Sequence, residues 1–144
     1  VLAMVNSPVK NIDAIGVNVL TNCEDLANAR IRFENGTVCN FSASRISKAA
    51  SRIIRVFGDD FYVSLDYLAQ RAKVYTKKDK KISCKALNIK KEEPLKKELE
   101  SFLHCLATKE QPLVSGQAGR DALAIALEIQ QQIKNAEVLH EKTE

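Results

Sequence analysis

The sequence predicts an α+β fold, a predominantly antiparallel sheet of about six strands followed by two C-terminal helices packed on one face. Runs of alternating apolar and polar residues fill the first two thirds of the chain, and turn-forming segments separate them. Helical periodicity appears only near the C-terminus, and strand–helix–strand alternation is missing. The 144 residues are expected to form a single domain, residues 1–144.

Residues 24–68 carry the clearest strand pattern, which we interpret as an antiparallel meander of four strands. Asn35-Gly36 separates the first two runs, and tight primed turns favour Asn-Gly because both residues tolerate a positive φ. Gly58-Asp59-Asp60 separates the next two runs and suits a slightly longer turn. Further strands are expected at residues 11–20, 72–75 and 82–87.

The last strands of this stretch carry apolar residues on both faces, a pattern typical of strands that are covered on both sides. We therefore expect helices on one face and another protein surface on the other. This predicts a homo-oligomer that associates through the open sheet face. Its candidate interface residues are Arg55, Tyr62 and Val63.

Two helices are expected to end the fold. The first begins near Pro94, which suits a first helical turn, and its apolar residues share one helical face. The second has Ser115 as its candidate N-cap and carries a narrow, alanine-rich stripe. The apolar positions are Leu95, Leu99, Phe102, Leu103 and Leu106 in the first helix, and Ala118, Ala122, Ile125, Ala126, Ile129 and Ile133 in the second.

The composition is that of an ordinary globular protein, with 45% hydrophobic and 28% charged residues. No apolar run reaches the roughly 20 residues of a membrane span, so we expect no membrane partner. The net charge of +4 does not demand an anionic partner. Tyr62 and Phe57 are of the type that stacks on RNA bases, but no RNP-like glycine–aromatic motif accompanies them. We therefore expect no nucleic acid partner.

The cysteines and histidines do not indicate a metal or catalytic site. The four cysteines are far apart and form no C-x-x-C pair, so we expect mostly buried thiols in a cytoplasmic protein. His104 and Cys105 are consecutive in a predicted helix and cannot face each other as a catalytic pair. Paired acids, a Ser-His-Asp order, H-E-x-x-H and G-x-G-x-x-G are all missing.

Polar residues along the second and third strands are the best candidates for ligand contact. Their alternation places Asn28, Arg30 and Arg32 on one face, which suggests a second, wetter surface of the sheet. A guanidinium beside hydroxyls can hold a phosphate or carboxylate in a bidentate manner. An equally open interpretation is a solvated or interface surface. The candidate substrate-binding residues are Ser42, Ser44, Arg45 and Ser47.

The chain resembles the C-terminal domain of the glucose–fructose oxidoreductase / inositol dehydrogenase (Gfo/Idh/MocA) family over nearly its whole length. The resemblance rests on EDLANARIRFENGTVCNFSASRIS, RIIRVFGDDFYVSLDY and EPLKKELESFLHCLATKEQPLVSGQAGRDALAIALEIQQQI. The SRIS and VSLDY segments are most similar to bacterial nucleotide-sugar members of the UDP-N-acetylglucosamine 3-dehydrogenase type.

This resemblance implies the C-terminal substrate and oligomerisation domain of an NAD(P)-dependent oxidoreductase that acts on a sugar or nucleotide sugar. The Rossmann domain would come before residue 1, together with the E-K-P lysine and the D-x-x-x-H pair of the family, which have no matching positions here. NAD or NADP would then be bound by the parent protein and not by this chain alone, and the isolated chain would be inactive. The alternative is a free-standing, non-catalytic interaction module that dimerises through its sheet.

Overall fold

A computed structural model describes the backbone of residues 1–141 and the side chains of residues 1–136. The described elements are α1 (Leu2–Val5), β1 (Val9–Val17), β2 (Leu26–Phe33), β3 (Val38–Ser44), β4 (Ile53–Phe57), β5 (Phe61–Asp66), β6 (Arg71–Lys78), β7 (Lys81–Leu87), α2 (Pro94–Thr108) and α3 (Gly116–Glu141). The α+β class and the antiparallel pairing are confirmed. No helix in the described part of the chain is long and apolar enough to cross a membrane.

The seven described strands form two sheets, of three strands in the order β1-β2-β3 and four in the order β4-β5-β6-β7. The predicted antiparallel pairing is therefore correct, but the strands form two sheets and not one sheet of about six strands. The predicted meander divides between β3 and β4, which belong to different sheets. The backbone N–H of Arg45 donates to the carbonyl oxygen of Asp25 at 2.9 Å, which continues the β2–β3 pairing one residue beyond Ser44. The chain forms two compact units, Lys48–Glu110 and the remainder.

The unit that contains β1, β2 and β3 has its core on one face of this sheet. Ile12, Ile31 and Phe33 are buried there, and Ile125 and Ile129 of α3 pack against them. A hairpin turn at Asn35-Gly36 is confirmed, and the Gly36 N–H donates to the carbonyl oxygen of Phe33 at 3.0 Å. Only Gly36 has a positive φ, of 86°, so the turn is not the primed type with positive φ at both residues. The predicted N-cap of α3 is confirmed as well, because the Ala118 N–H donates to Ser115 Oγ at 3.2 Å.

The unit that contains β4–β7 also contains α2. A half-buried apolar face of its sheet carries Ile54, Val56, Val63, Leu65 and Val74, as the strand register requires. The segment before α2 is attached to this sheet by the Gln70 amide, which donates to the Glu92 carbonyl at 2.7 Å and accepts its N–H at 2.9 Å.

The prediction that both helices cover a sheet with their apolar stripes holds for part of α3 and not for α2. The isoleucines of the α3 stripe, Ile125, Ile129 and Ile133, are buried or half-buried, whereas its alanines, Ala118, Ala122 and Ala126, are exposed. The helical period of α2 is as expected, but all five of its stripe residues are exposed. Amphipathic spacing indicates which residues share a face of a helix and does not identify what that face contacts. The exposed stripe consists of Leu95, Leu99, Phe102, Leu103 and Leu106.

Candidate functional site

The face of the three-stranded sheet opposite its apolar core is polar. The strand register places Asp13, Arg30 and Asn40 in one cross-strand row and Ile15, Asn28 and Ser42 in the next. These six residues line a shallow depression of about 380 Å³. Ser42 Oγ donates a hydrogen bond of 2.5 Å to Asn28 Oδ1. The wet surface expected from the alternation of residues 26–33 is therefore present, and Ser42 lies on it.

The chain that leaves β3 forms a small hydroxyl turn. Ser44 Oγ accepts the backbone N–H of Ser47 at 3.1 Å and the Ser47 hydroxyl at 2.8 Å. Both side chains are exposed. The two hydroxyls therefore lie together at the end of the polar face, where a ligand with several oxygen atoms would meet them.

Arg45 lies between these two serines and is attached to a different partner. Its Nε lies 3.7 Å from Oδ1 of Asp25, and its side chain is 62% exposed. Asp25 itself is buried, with 1% of its surface exposed. One partner of the ion pair is therefore buried, and the side chain of the other is largely exposed.

Asp25 organises the loop between β1 and β2. Its Oδ2 accepts three consecutive backbone N–H groups, those of Val19, Leu20 and Thr21, at 2.9, 2.6 and 2.9 Å. Its Oδ1 accepts the Thr21 hydroxyl at 3.0 Å. The N–H of Leu20, with smaller contributions from the other donors, lowers the pKa of the Asp25 carboxyl far below its ordinary value, although burial acts in the opposite direction. The carboxylate therefore stays ionised at any physiological pH.

The four candidate substrate-binding residues therefore lie in one segment and form three separate contacts: Ser42 with Asn28, Ser44 with Ser47, and Arg45 with Asp25. The sequence interpretation treated residues 21–25 as a simple polar turn and missed Asp25. The available signal was Thr21 four residues before an aspartate, because such side chains bond to nearby backbone N–H groups.

The candidate interface residues do not share one face. Arg55 and Tyr62 lie on the face opposite the half-buried apolar one, whereas Val63 pairs with Val56 on the apolar face. Tyr62 stacks between Phe57 and Tyr75, with ring centroids 4.7 and 5.1 Å away. Phe57 is 74% exposed. This aromatic row spans β4, β5 and β6 and is formed by exposed Phe57 and half-buried Tyr62 and Tyr75.

Two further expectations concern cysteine and histidine. Cys23 and Cys84 are exposed and Cys39 is half-buried, so the prediction of mostly buried thiols is wrong. Cys84 lies in β7 beside Tyr75, and a hydrogen bond that the Tyr75 hydroxyl donates to the Cys84 side chain is the main cause of the raised pKa of Tyr75. His104 lies at the surface with Nε2 3.6 Å from a carboxylate oxygen of Glu110, as expected for a polar-face residue.

The described residues do not fit a dinucleotide cofactor. All described strand pairs are antiparallel. The parallel strand–helix–strand unit, whose glycine-rich turn holds a pyrophosphate at a helix N-terminus, is missing from this part of the chain.

A curated relative, UDP-N-acetylglucosamine 3-dehydrogenase from Acidithiobacillus ferrooxidans, is 32% identical over 125 residues, which are 83% of this chain and 40% of the relative. The solved structure of that enzyme, GnnA, superposes with a TM-score of 0.87 at 30% identity over 93% of this chain and 43% of its own. The chain is a homologue of UDP-N-acetylglucosamine 3-dehydrogenase. The resemblance to Gfo/Idh/MocA oxidoreductases is thereby confirmed.

More distant structures share the fold of this UDP-N-acetylglucosamine 3-dehydrogenase homologue. A putative NADPH-dependent oxidoreductase from Desulfitobacterium hafniense has a TM-score of 0.72 at 14% identity, over 94% of this chain and 43% of its own. The WlbA dehydrogenase from Bordetella pertussis, in complex with NADH and UDP-GlcNAcA, has a TM-score of 0.64 at 18% identity, over 90% of this chain and 37% of its own. No family model matches the chain.

Proposed function

We propose that this chain is the C-terminal substrate-side and oligomerisation domain of an NAD(P)-dependent oxidoreductase that acts on a nucleotide sugar. The observation that carries the proposal is the match to GnnA over nearly the whole chain and only 43% of the GnnA structure. The WlbA structure with the same fold contains NADH and UDP-GlcNAcA together. The name of GnnA and the ligand in the WlbA structure therefore both favour a nucleotide sugar as the substrate class.

In this proposal the cofactor and the reacting side chains lie on a Rossmann domain that precedes Val1 in the parent protein. The isolated chain is then inactive and does not bind NAD(P), in keeping with the lack of a parallel strand–helix–strand unit among its described residues. The coding sequence upstream of Val1 tests this directly. A glycine-rich strand–helix–strand segment and an E-K-P motif are expected there, and their absence would refute the domain assignment.

The contribution of the chain to the site is recognition of the substrate. The Arg45 guanidinium supplies donors in the planar arrangement that matches phosphate or carboxylate oxygens. The hydroxyls of Ser42, Ser44 and Ser47 can donate to and accept from sugar or phosphate oxygens. The arrangement suits an anionic, hydroxyl-rich ligand better than an apolar one.

Kinetics of the parent enzyme test this role. We expect Arg45→Ala to raise KM for the nucleotide sugar by about ten- to a hundredfold, because a charge-assisted hydrogen bond contributes about 1.5–3 kcal/mol. Arg120→Ala is the matched control, because Arg120 is an exposed arginine of α3 whose Nε lies 3.8 Å from Asp121. Equal kinetic constants for the Arg45 variant and wild type would refute substrate contact by Arg45.

The same proposal assigns the sheet face with the aromatic row to association between copies of the chain. Tyr62→Asp should dissociate the oligomer and leave a folded monomer, because it places a charge within an exposed aromatic surface. Val63→Asp is on the half-buried apolar face and should instead lower the free energy of unfolding. A Tyr62 variant that elutes as wild type in size-exclusion chromatography with light scattering would contradict this interface.

A non-catalytic interaction module would also form an oligomer, so assembly alone does not separate the two functions. The separating measurement is activity of the parent protein. Reduction of NAD(P) with UDP-N-acetylglucosamine supports the oxidoreductase, and a chain that functions with no upstream domain supports the module.

A further inference from the structure

We propose that Asp25 is a positioning residue, which holds the Arg45 guanidinium ready for an anionic group of the substrate. The inference rests on the proposed role of Arg45. It concerns a buried carboxylate that no catalytic step uses and that lies next to the segment with the candidate ligand residues.

Two contacts connect Asp25 to Arg45. The backbone N–H of Arg45 donates to the Asp25 carbonyl oxygen at 2.9 Å, which fixes the main chain where it leaves β3. The side-chain contact joins Nε of Arg45 to Oδ1 of Asp25 at 3.7 Å. Both the backbone and the side chain of Arg45 therefore contact the same buried residue.

The two carboxylate oxygens of Asp25 have different partners. Oδ2 receives the three N–H groups of the β1–β2 loop, and Oδ1 receives the Thr21 hydroxyl and faces Arg45. A carboxylate is needed only at the second position, because a neutral oxygen can also accept backbone N–H groups. Loop formation and Arg45 positioning can therefore be separated by one substitution.

Asp25→Asn makes this separation. Its amide oxygen can take the place of Oδ2 and accept the same three N–H groups, and its NH2 group can donate to the oxygen of Thr21. That NH2 group also faces Nε–H of Arg45, so two donors meet and the attraction is lost. The variant should keep the loop and release the guanidinium.

Positioning is expected to raise the affinity for the substrate, because Arg45 is already restrained before the substrate binds. Ordering a flexible side chain at binding opposes affinity by an amount equivalent to about two- to tenfold in Kd. An arginine that a buried carboxylate already holds through Nε loses less freedom when its terminal nitrogens meet a phosphate. Asp25→Asn should therefore weaken binding by about two- to tenfold without a change at any substrate contact.

The experiment uses the ¹⁵N-labelled parent protein, with UDP-N-acetylglucosamine as the probe. The ¹H–¹⁵N signal of the Arg45 Nε–H group, identified by its loss in Arg45→Lys, reports the side-chain contact, and a titration gives Kd. Asp121→Asn is the matched control, because Asp121 forms an exposed pair with another arginine at a comparable distance. We expect the Arg45 signal to shift and exchange faster in Asp25→Asn only, with Kd raised two- to tenfold in the same variant.

The outcomes separate this inference from the proposed function. An Arg45 signal that is unchanged in Asp25→Asn overturns the inference. It is also overturned if the signal changes and Kd does not, while Arg45→Ala does weaken binding. If Arg45→Ala leaves Kd unchanged, or if wild type shows no binding at about 10 mM, the substrate role of Arg45 fails together with the positioning role. The Asp25–Arg45 contact seen by NMR would remain as a purely structural finding.

Discussion

Gly16→Ala tests the closest approach between β1 and α3. A Cβ atom at residue 16 would lie 2.6 Å from Cγ2 and 3.2 Å from Cδ1 of Ile133, and 3.0 Å from Cγ of Glu24. Carbon atoms in contact are normally about 3.5–4.0 Å apart. Ile133 is only 3% exposed and cannot rotate into solvent. The added methyl group must therefore displace α3 or force Ile133 from its preferred rotamer.

The magnitude follows from the overlap of about 1 Å. Overpacking of this kind costs about 1–3 kcal/mol, against a total stability of about 5–15 kcal/mol for a typical domain. Replacing glycine restricts the unfolded chain and returns about 0.4–1 kcal/mol. The net change should be a decrease of about 1–2 kcal/mol in the free energy of unfolding.

In a variant that lacks the Ile133 side chain, Gly16→Ala should raise the free energy of unfolding and not lower it. Ile133→Ala alone should destabilise by about 2–5 kcal/mol, because it leaves a cavity beside β1. In the double variant the new methyl group at residue 16 points into that cavity. We therefore expect the double variant to be at least about 1 kcal/mol more stable than the sum of the single effects predicts.

Urea unfolding followed by circular dichroism measures all of these free energies. Gly119→Ala is the matched control: the substitution is the same, but no atom lies within 4 Å of its Cβ position, and it should stabilise α3 by about 0.5–1 kcal/mol. The reasoning is refuted if Gly16→Ala is as stable as the control variant, or if the effects at residues 16 and 133 are additive.

Three further predictions concern polar and thiol groups. The lowered pKa of Asp25 means that its contribution to stability is present above its unfolded-state pKa of about 4 and is lost as the pH falls; acid unfolding of Asp25→Asn should lack this component. Burial raises the pKa of the Cys39 thiol, so iodoacetamide should modify it at least about tenfold more slowly than exposed Cys23, as mass spectrometry would show; equal rates would contradict this. Gln70→Ala should accelerate hydrogen exchange of the Glu92 amide about tenfold, because the Gln70 side chain accepts that N–H; unchanged exchange would show that the bond does not protect it.

Strands, turns and helix starts could be predicted from the sequence because each depends on neighbouring residues. The Gly36 turn and the Ser115 cap are examples, since their conformations follow from the residues themselves. The division into two sheets could not be predicted in this way. The strands on either side of the division, β3 and β4, are consecutive in the chain, and local residue patterns do not show whether consecutive strands pair with each other.

The candidate site shows the same limit. Alternation along β2 and β3 correctly placed Asn28, Arg30 and Ser42 on one polar face, because side chains in a strand alternate with period two. Asp25 was not predicted, because an aspartate in a polar turn is normally exposed. It is buried here because three backbone N–H groups and a hydroxyl replace the water that it loses. Such a set of donors exists only after the loop has closed around it.

The two interpretations of Arg45 that the sequence left open, ligand contact and a structural role, are therefore compatible. A guanidinium has three nitrogen atoms, and the described ion pair uses only Nε. The side chain is 62% exposed, and the two terminal nitrogens of a guanidinium can form a forked contact with phosphate. The ion pair with buried Asp25 fits a structural role, and the exposure of the Arg45 side chain fits ligand contact. Arg45 is therefore held by Asp25 and is still largely exposed. Removing the charge of Asp25 tests the positioning of Arg45 more specifically than removing Arg45, because the guanidinium itself stays in place.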